Sequence, residues 1–178
     1  LEAGIDRASR LVEQLLVLAR HQAAAGTPVQ AHSLTELARA AVANAAAAAQ
    51  ARTIDLGLAP SDETAIACQP DAIEMLLRNL IDNAIKYTPP GGTVTVQVRA
   101  LADGVLLSVD DSGPGIAAAD RERVLDRFYR APGTEATGSG LGLAIVKAVA
   151  DLHGAALSLT DSPELGGLRV ELRFAPAR

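Results

Sequence analysis

Three short stretches of this 178-residue chain carry residue types that packing alone does not call for. In the first, Asn79 and Asn83 stand four apart, and Lys86 or Tyr87 follows three or four later, which puts them on one helix face. Leu76, Leu77, Leu80, Ile81 and Ile85 mark the buried side. An amide face on an otherwise apolar helix is costly unless partners meet it. A carboxamide oxygen is a hard ligand suited to Mg²⁺, which usually completes its shell with waters and substrate phosphates. Lys86 would neutralise phosphate charge. A solvated face with satisfied amides fits the same spacing, so this block alone leaves both readings open.

The second stretch is Val109-Asp110-Asp111-Ser112-Gly113-Pro114-Gly115-Ile116, which closes a strand and enters a loop. A carboxylate at a strand end can accept a hydrogen bond from an exocyclic amine such as adenine N6. Glycines let the backbone approach a flat ring. Alone, the stretch reads better as an ordinary Asp/Gly/Pro turn. The third stretch is Gly138-Ser139-Gly140-Leu141-Gly142-Leu143, at the start of a helix. Glycines there free backbone N–H groups to face an anion, and the helix dipole assists. The GxGxG spacing with no strand immediately before it is not a dinucleotide fingerprint. No Lys-Ser/Thr follows the glycines, so it is not a Walker A loop either.

These stretches need elements to hold them. Leu1, Ile5, Ala8, Val12, Leu15 and Ala19 repeat at alternating steps of four and three, predicting a heptad helix over residues 1–23. Leu11, Leu16 and Leu18 widen its stripe, which suits a bundle. Residues 24–33 read as a linker, with a short strand near Val29 to Ala31. Ser33 and Glu36 have the spacing of a capping box opening an Ala-rich helix to about Gln50. Strands are expected at Ile54–Leu58 and Thr64–Cys68. Pro70 then starts a helix through Asp71–Tyr87. A hairpin over Thr93–Ala100 and Val105–Asp110 follows, then a short helix near Ala118–Asp126, a helix over Leu141–Leu152, and strands at Ala155–Thr160 and Leu168–Phe174. Strands in antiparallel pairs with helices between them predict an α/β sandwich: a mixed, mainly antiparallel sheet with helices on one face.

Composition bounds the partners. Formal net charge is −5, which argues against nucleic acid or an anionic membrane as main partner. The single cysteine, Cys68, rules out a disulfide framework within the chain. No apolar run approaches the roughly 18 residues that would span a bilayer. The chain opens without a methionine inside a helical pattern, so it is expected to be a piece of something longer.

Together, and in this order, the three stretches resemble the N, G1 and G2 boxes of the sensor histidine kinases, within the wider superfamily of gyrase, Hsp90, histidine kinase and MutL. Asp126-Arg127-Phe128-Tyr129-Arg130 resembles the F box, in the expected place between G1 and G2. Gly4 to Arg20 resembles the second helix of the family's dimerisation and phosphotransfer domain. The likeness covers nearly the whole chain and points to proteobacterial two-component sensors of the quorum-sensing-responsive type. It implies a Bergerat-type ATP-binding fold at residues 34–178, preceded by a bundle helix at 1–23 and a linker at 24–33.

The resemblance also implies roles. Asn83 would ligate Mg²⁺, and Asn79 would support the metal and the γ-phosphate. Lys86 and Arg130 would contact phosphates. Tyr87 would lie near the adenine or ribose, Ile116 against the base, and Asp111 would read adenine N6. Gly113, Gly115 and Phe128 would line the nucleotide site. The backbone of Gly138, Ser139, Gly140, Leu141, Gly142 and Leu143 would cradle the phosphates, with residues 116–139 as a lid. The superfamily's ATP hydrolases place a Glu where this chain has Asn79. An amide cannot serve as general base, so Asn79 fits phosphoryl donation.

One family feature is absent. The phosphoacceptor histidine lies on the first bundle helix in a His-Glu-Leu-Arg-Thr-Pro-like segment, and no such segment occurs here. His21, His32 and His153 are read as surface or helix-end residues. The expected function is therefore a kinase domain that binds ATP and Mg²⁺ and donates the γ-phosphate to a histidine on the missing helix, for relay to the aspartate of a cognate response regulator. Autophosphorylation in isolation is not expected. The implied partners are a second copy through the 1–23 helix and the response regulator, with no nucleic acid and no direct membrane contact. The implied setting is the cytoplasmic part of a bacterial inner-membrane sensor. An ATPase clamp of the same superfamily and a degenerate interaction module are the alternatives. Arg121, Arg123 and Arg127 are expected to form a solvated face, Arg127 with an option on phosphate. Gly166-Gly167 is expected to serve a hairpin turn.

Overall fold

The computed structural model describes residues 29–126, 128–129 and 140–177. The heptad helix expected at 1–23 lies outside the described residues, as do residues 24–28 of the expected linker, Arg127, Arg130, Gly138 and Ser139.

The chain folds in the order β1 (Gln30–Ser33), α1 (Leu34–Ala51), β2 (Asp55–Leu58), β3 (Ala65–Cys68), α2 (Pro70–Tyr87), β4 (Thr93–Leu101), β5 (Gly104–Asp111), α3 (Gly142–Leu152), β6 (Ala156–Asp161) and β7 (Leu168–Phe174). Two 3-10 turns, Ala118–Asp120 and Arg123–Leu125, stand where one short helix was expected. Ser33 caps α1, its hydroxyl accepting from the Glu36 amide at 3.1 Å. Only half of the capping box forms, because the Glu36 carboxylate turns to Arg39 instead. Pro70 opens α2, where its missing N–H costs nothing.

The main sheet has the order β2-β4-β5-β7-β6. All its neighbours are antiparallel except β2 and β4, which run parallel from Asp55↔Thr93 to Leu58↔Val96. The expected β2–β3 antiparallel pair does not form. Between β2 and β4 the chain passes through β3 and α2, a crossover long enough to bring β4 back parallel. β3 pairs instead with β1, Gln30 opposite Cys68, so strand structure occupies the last four residues of the expected linker.

One face of the sheet is apolar. Val94, Val96 and Val98 on β4 have no exposed surface, and their register partners Asp111, Val109 and Leu107 point the same way. Each buried valine contributes roughly 1.5–3 kcal/mol of hydrophobic free energy. The helices cover this face. α2 lies between α1 and α3 and also touches β4 and β5, burying Ile73, Leu76, Leu77, Leu80, Ile81, Ala84 and Ile85. The other face carries polar rows in register, such as Thr95, Asp110, Arg169 and Thr160. The fold is the expected mixed α/β sandwich, with the functional stretches gathered where α2 ends, β5 ends and α3 begins.

Candidate nucleotide-binding site

The α2 block behaves as its spacing demands. Asn79, Asn83, Lys86 and Tyr87 are half-buried beside the fully buried Leu76, Leu77 and Ile81. The Asn79 amide donates to the Met75 carbonyl at 2.8 Å, which fixes its side chain and leaves its oxygen free to accept. No described residue hydrogen-bonds the Asn83 carboxamide. Lys86 Nζ donates to the Tyr87 hydroxyl at 3.2 Å and lies 4.6 Å from the ring centre.

Asn83 sits against the start of α3. A Cβ placed on Gly142 would fall 2.7–3.1 Å from three atoms of the Asn83 side chain. Glycine at 142 is therefore a close-approach requirement between the N and G2 stretches. Leu141 caps α3 without a side-chain hydrogen bond, and no acidic residue lies in the first turn. The amides of that turn remain available to an anion. Leu141 is buried and Leu143 packs half-buried on the core.

The carboxylate of Asp111, only 6% exposed, is held by one oxygen. Its Oδ1 accepts from the Gly113 amide at 2.8 Å and the Leu168 amide at 3.1 Å. No described donor reaches Oδ2. Burial pushes the Asp111 carboxyl above its usual range, the two amide bonds pull it back, and the adjacent Asp110 charge pushes it up further. Gly113 packs on α2, where a Cβ would come within 2.9 Å of the Tyr87 carbonyl. Gly115 adopts φ +71°, a conformation that favours glycine, and Ile116 packs half-buried on the core. Next to this junction, Thr88 Oγ1 is the one buried side-chain oxygen among the described residues with no protein partner.

Phe128 and Gly140 are brought together. The Phe128 amide donates to the Gly140 carbonyl at 3.1 Å, and both residues have positive φ, +63° and +70°. Phe128 is exposed, at 48%, while Tyr129 turns inward and donates to Asp120 at 2.8 Å. The structure thus brings the stretches together pairwise: Asn83 meets Gly142, Gly113 meets Tyr87, and Phe128 meets Gly140. Asn79 and Lys86 lie on the same helix as Asn83, Asp111, Gly115 and Ile116 flank Gly113 in sequence, and Leu141 and Leu143 flank Gly142. The positions of Arg130, Gly138 and Ser139 fall outside the described residues.

Three contributions escaped sequence reasoning. Gly167 is more than a turn glycine, because a Cβ there would run into the Asp111 carbonyl and carboxylate and the Gly113 amide. Its own amide donates to the Asp111 carbonyl at 3.1 Å. Arg121 is not on a solvated face. It donates to the Ile116 carbonyl at 3.0 Å and pairs with Asp161 at 2.6 Å, which ties the loop after β5 to the end of β6. His153 bridges two helices, Nδ1 meeting the Val149 carbonyl at 2.8 Å and Nε2 accepting from the Gln69 amide at 3.2 Å. The Gly166-Gly167 pair was the one local signal; the Arg121–Asp161 and His153–Gln69 contacts span 40 and 84 positions and leave no short-range pattern.

Among the described residues no group of three or more His, Cys, Asp or Glu is placed to hold a metal. A cation here would depend on amide oxygens and on substrate phosphates. The Asn83 carboxamide, half-buried and without a described hydrogen-bond partner, fits that donor set for Mg²⁺.

Comparison with known proteins agrees with this geometry. Residues 68–178 match the family described as histidine kinase-, DNA gyrase B-, and HSP90-like ATPase. The chain is 42% identical over 176 residues to the sensor protein QseC of Salmonella typhi, covering 98% of this chain and 38% of that protein. It is 36% identical over 171 residues to the swarming motility regulation sensor protein RssA of Serratia marcescens, 36% of whose length it spans. Among solved structures, the ATP-binding domain of PrrB from Mycobacterium tuberculosis superposes with a TM-score of 0.70 at 31% identity, over 84% of this chain and 98% of that one. The cytoplasmic segment of histidine kinase QseC superposes with a TM-score of 0.65 at 30% identity, over 98% of this chain and 91% of that one. The chain spans somewhat over a third of the length of the curated relatives it matches. A buried carboxylate, an amide-bearing helix and a glycine-opened helix N-terminus at one end of a mixed sandwich therefore have a common explanation: the chain belongs to the histidine kinase-, DNA gyrase B-, and HSP90-like ATPase family, as an ATP-binding domain of its sensor histidine kinase branch.

Proposed function

We propose that this domain presents Mg-ATP for transfer of the γ-phosphate to a histidine on a partner helix, with onward relay to the aspartate of a response regulator. Asp111 Oδ2 accepts from adenine N6, while Ile116 and Tyr87 flank the base and ribose. Gly113 and Gly115 let the backbone close on the ring, and Phe128 borders the site. Lys86 and Arg130 neutralise phosphate charge, and the backbone from Gly138 through Ser139 and Gly140 to Leu143 cradles the phosphates. Asn83, supported by Asn79, would hold Mg²⁺, which when bound supplies charge neutralisation and orientation at the transferring phosphoryl group.

The observation that carries this reading is Asn79. It shares the α2 face of Asn83 as an amide whose nitrogen is committed to the Met75 carbonyl at 2.8 Å. An amide cannot take a proton from water, so hydrolysis lacks its base while phosphoryl donation needs only positioning and charge. Residues 1–23 are proposed as the second helix of a dimerisation domain, residues 24–33 as its connection, and residues 34–178 as the catalytic domain. In the whole protein this places a homodimer on the cytoplasmic side of an inner membrane. No helix among the described residues is long and apolar enough to cross a membrane.

The test supplies radiolabelled ATP, Mg²⁺ and a kinase-dead full-length partner carrying the acceptor histidine. Label on the partner, abolished by Asn83→Ala, is expected, with negligible phosphate release when the partner is omitted. ATP binding without transfer, or steady hydrolysis by the chain alone, would overturn the reading.

A further inference from the structure

Asp110 precedes Asp111 on β5, and strand alternation sends it to the opposite face of the sheet. It is 5% exposed there. Its Oδ1 accepts from Arg169 Nε at 2.7 Å and from Ser162 Oγ at 2.6 Å. Ser162 is 3% exposed, and its oxygen also accepts from the Leu165 amide at 3.2 Å. A carboxylate this buried persists only when paired and hydrogen-bonded. Nothing in phosphoryl donation as described uses Asp110, Ser162 or Arg169.

We propose that Arg169, seated on Asp110 beside Ser162, is a positioning residue of the nucleotide site: by cancelling the Asp110 charge it keeps Asp111 ionised, and so keeps the site selective for a purine bearing an exocyclic amine. The proposal deepens the reading of Asp111 as the adenine contact and rests on it. Asp111 is buried, and among the described residues its ionised form has two amide donors, both on Oδ1. An unpaired anion on the preceding residue would disfavour that form further. Ionisation then decides the chemistry, because a carboxylate only accepts, whereas a protonated carboxyl donates through its O–H. The first matches an amine on the base, the second a carbonyl.

The surrounding charges make Arg169 decisive. On β7, Glu171 stands 3.9 Å from Arg169 Nη1. Glu164 in the β6–β7 turn also acts on Arg169 electrostatically. Asp161 at the end of β6 is paired with Arg121, and Lys86 on α2 is turned to Tyr87. Among these described groups, one arginine faces Asp110, Glu164 and Glu171 together. Among the described residues, removing it takes from these three carboxylates the cation they share.

The experiment measures Mg-ATP and Mg-ITP affinity by calorimetry from about pH 5 to about pH 8, and follows Asp111 ionisation by carboxyl ¹³C NMR in the nucleotide-free chain. It compares the wild-type chain with Arg169→Gln, Arg169→Lys, Asp110→Asn and the Asp110→Asn/Arg169→Gln pair. Arg169→Gln is expected to move the Asp111 titration, and with it the acid limb of ATP affinity, to higher pH. The ATP-over-ITP preference should fall several-fold in that window. Arg169→Lys and the double variant should restore both. Asp110→Asn should shift the titration the other way, and it carries the test if Arg169→Gln does not fold. An Asp111 titration unmoved in both single variants, or an affinity loss equal at all pH values, overturns the proposal as a charge effect. A titration that moves while ATP and ITP affinities ignore it overturns it by a different route, the failure of Asp111 as the base contact.

Discussion

At the scale of single residues, contacts with no room to spare control the site. Gly142 faces Asn83 so closely that one methyl group would displace the amide proposed to hold Mg²⁺. Alanine is otherwise better than glycine in a helix by about 0.8–1.0 kcal/mol. Gly142→Ala should therefore leave stability within about 1 kcal/mol of wild type while weakening Mg-ATP binding by about tenfold, a loss of about 1.4 kcal/mol. Thermal denaturation and calorimetry on the same samples separate the two; an unchanged affinity would mean that Asn83 moves aside freely. The close approach was not legible locally. The sequence offered Gly142 as a phosphate-facing glycine, whereas the structure adds that it makes room for a side chain 59 positions earlier.

At the scale of elements, α2 and α3 form an antiparallel pair tied at both ends. Asn83 and Gly142 meet at one end, and Gln69 and His153 at the other. The His153 geometry requires Nδ1 to carry the proton, donating to Val149, and Nε2 to accept from Gln69. Two hydrogen bonds at about 1 kcal/mol each make His153→Ala cost about 1–2 kcal/mol. Urea unfolding should show that loss, and amide exchange should quicken at Gln69. His153→Gln, which keeps an acceptor near the Nε2 position, should recover part of both. The element pattern itself was largely legible, since hydrophobic periodicity marked each helix and strand near its observed span. The pairing of β2 was not. Ile54 to Leu58 and Ala65 to Cys68 look like hairpin partners in sequence, yet the competition for strand edges gives β2 to β4 and β3 to β1.

At the scale of the whole molecule, the nucleotide site and the fold make opposite demands on one carboxyl. Burial raises Asp111 above its ordinary range in the folded chain. A raised carboxyl favours folding fully below its unfolded value, and that contribution is lost as pH rises through the raised value. The proposed amine contact needs the ionised form, so nucleotide affinity falls as pH falls through the same window. The increase in melting temperature produced by saturating Mg-ATP should therefore shrink on acidification between the ordinary carboxylate range and the raised value. The increment isolates Asp111 from groups such as Asp103, which Arg173 holds low and which acts in the opposite sense in both states. Asp111→Asn should flatten the dependence. An increment that stays constant with pH in the wild-type chain would contradict it.

The residue types and their order were enough to propose the site: amides on an apolar helix, a carboxylate entering a glycine loop and a glycine-opened helix each carry local chemistry, and local chemistry is written in short spacing. Periodicity determined the elements for the same reason, since a helix or strand buries one face at a fixed repeat. Folding alone settles how the three stretches are held against one another. The Leu168 amide on Asp111, the Gly167 approach, the Arg121 pair with Asp161, and the Asp110–Arg169 pair join residues 40 to 59 positions apart. Such contacts follow from strand order and sheet register. A chain read in one dimension shows which groups need partners, and folding decides which distant groups supply them.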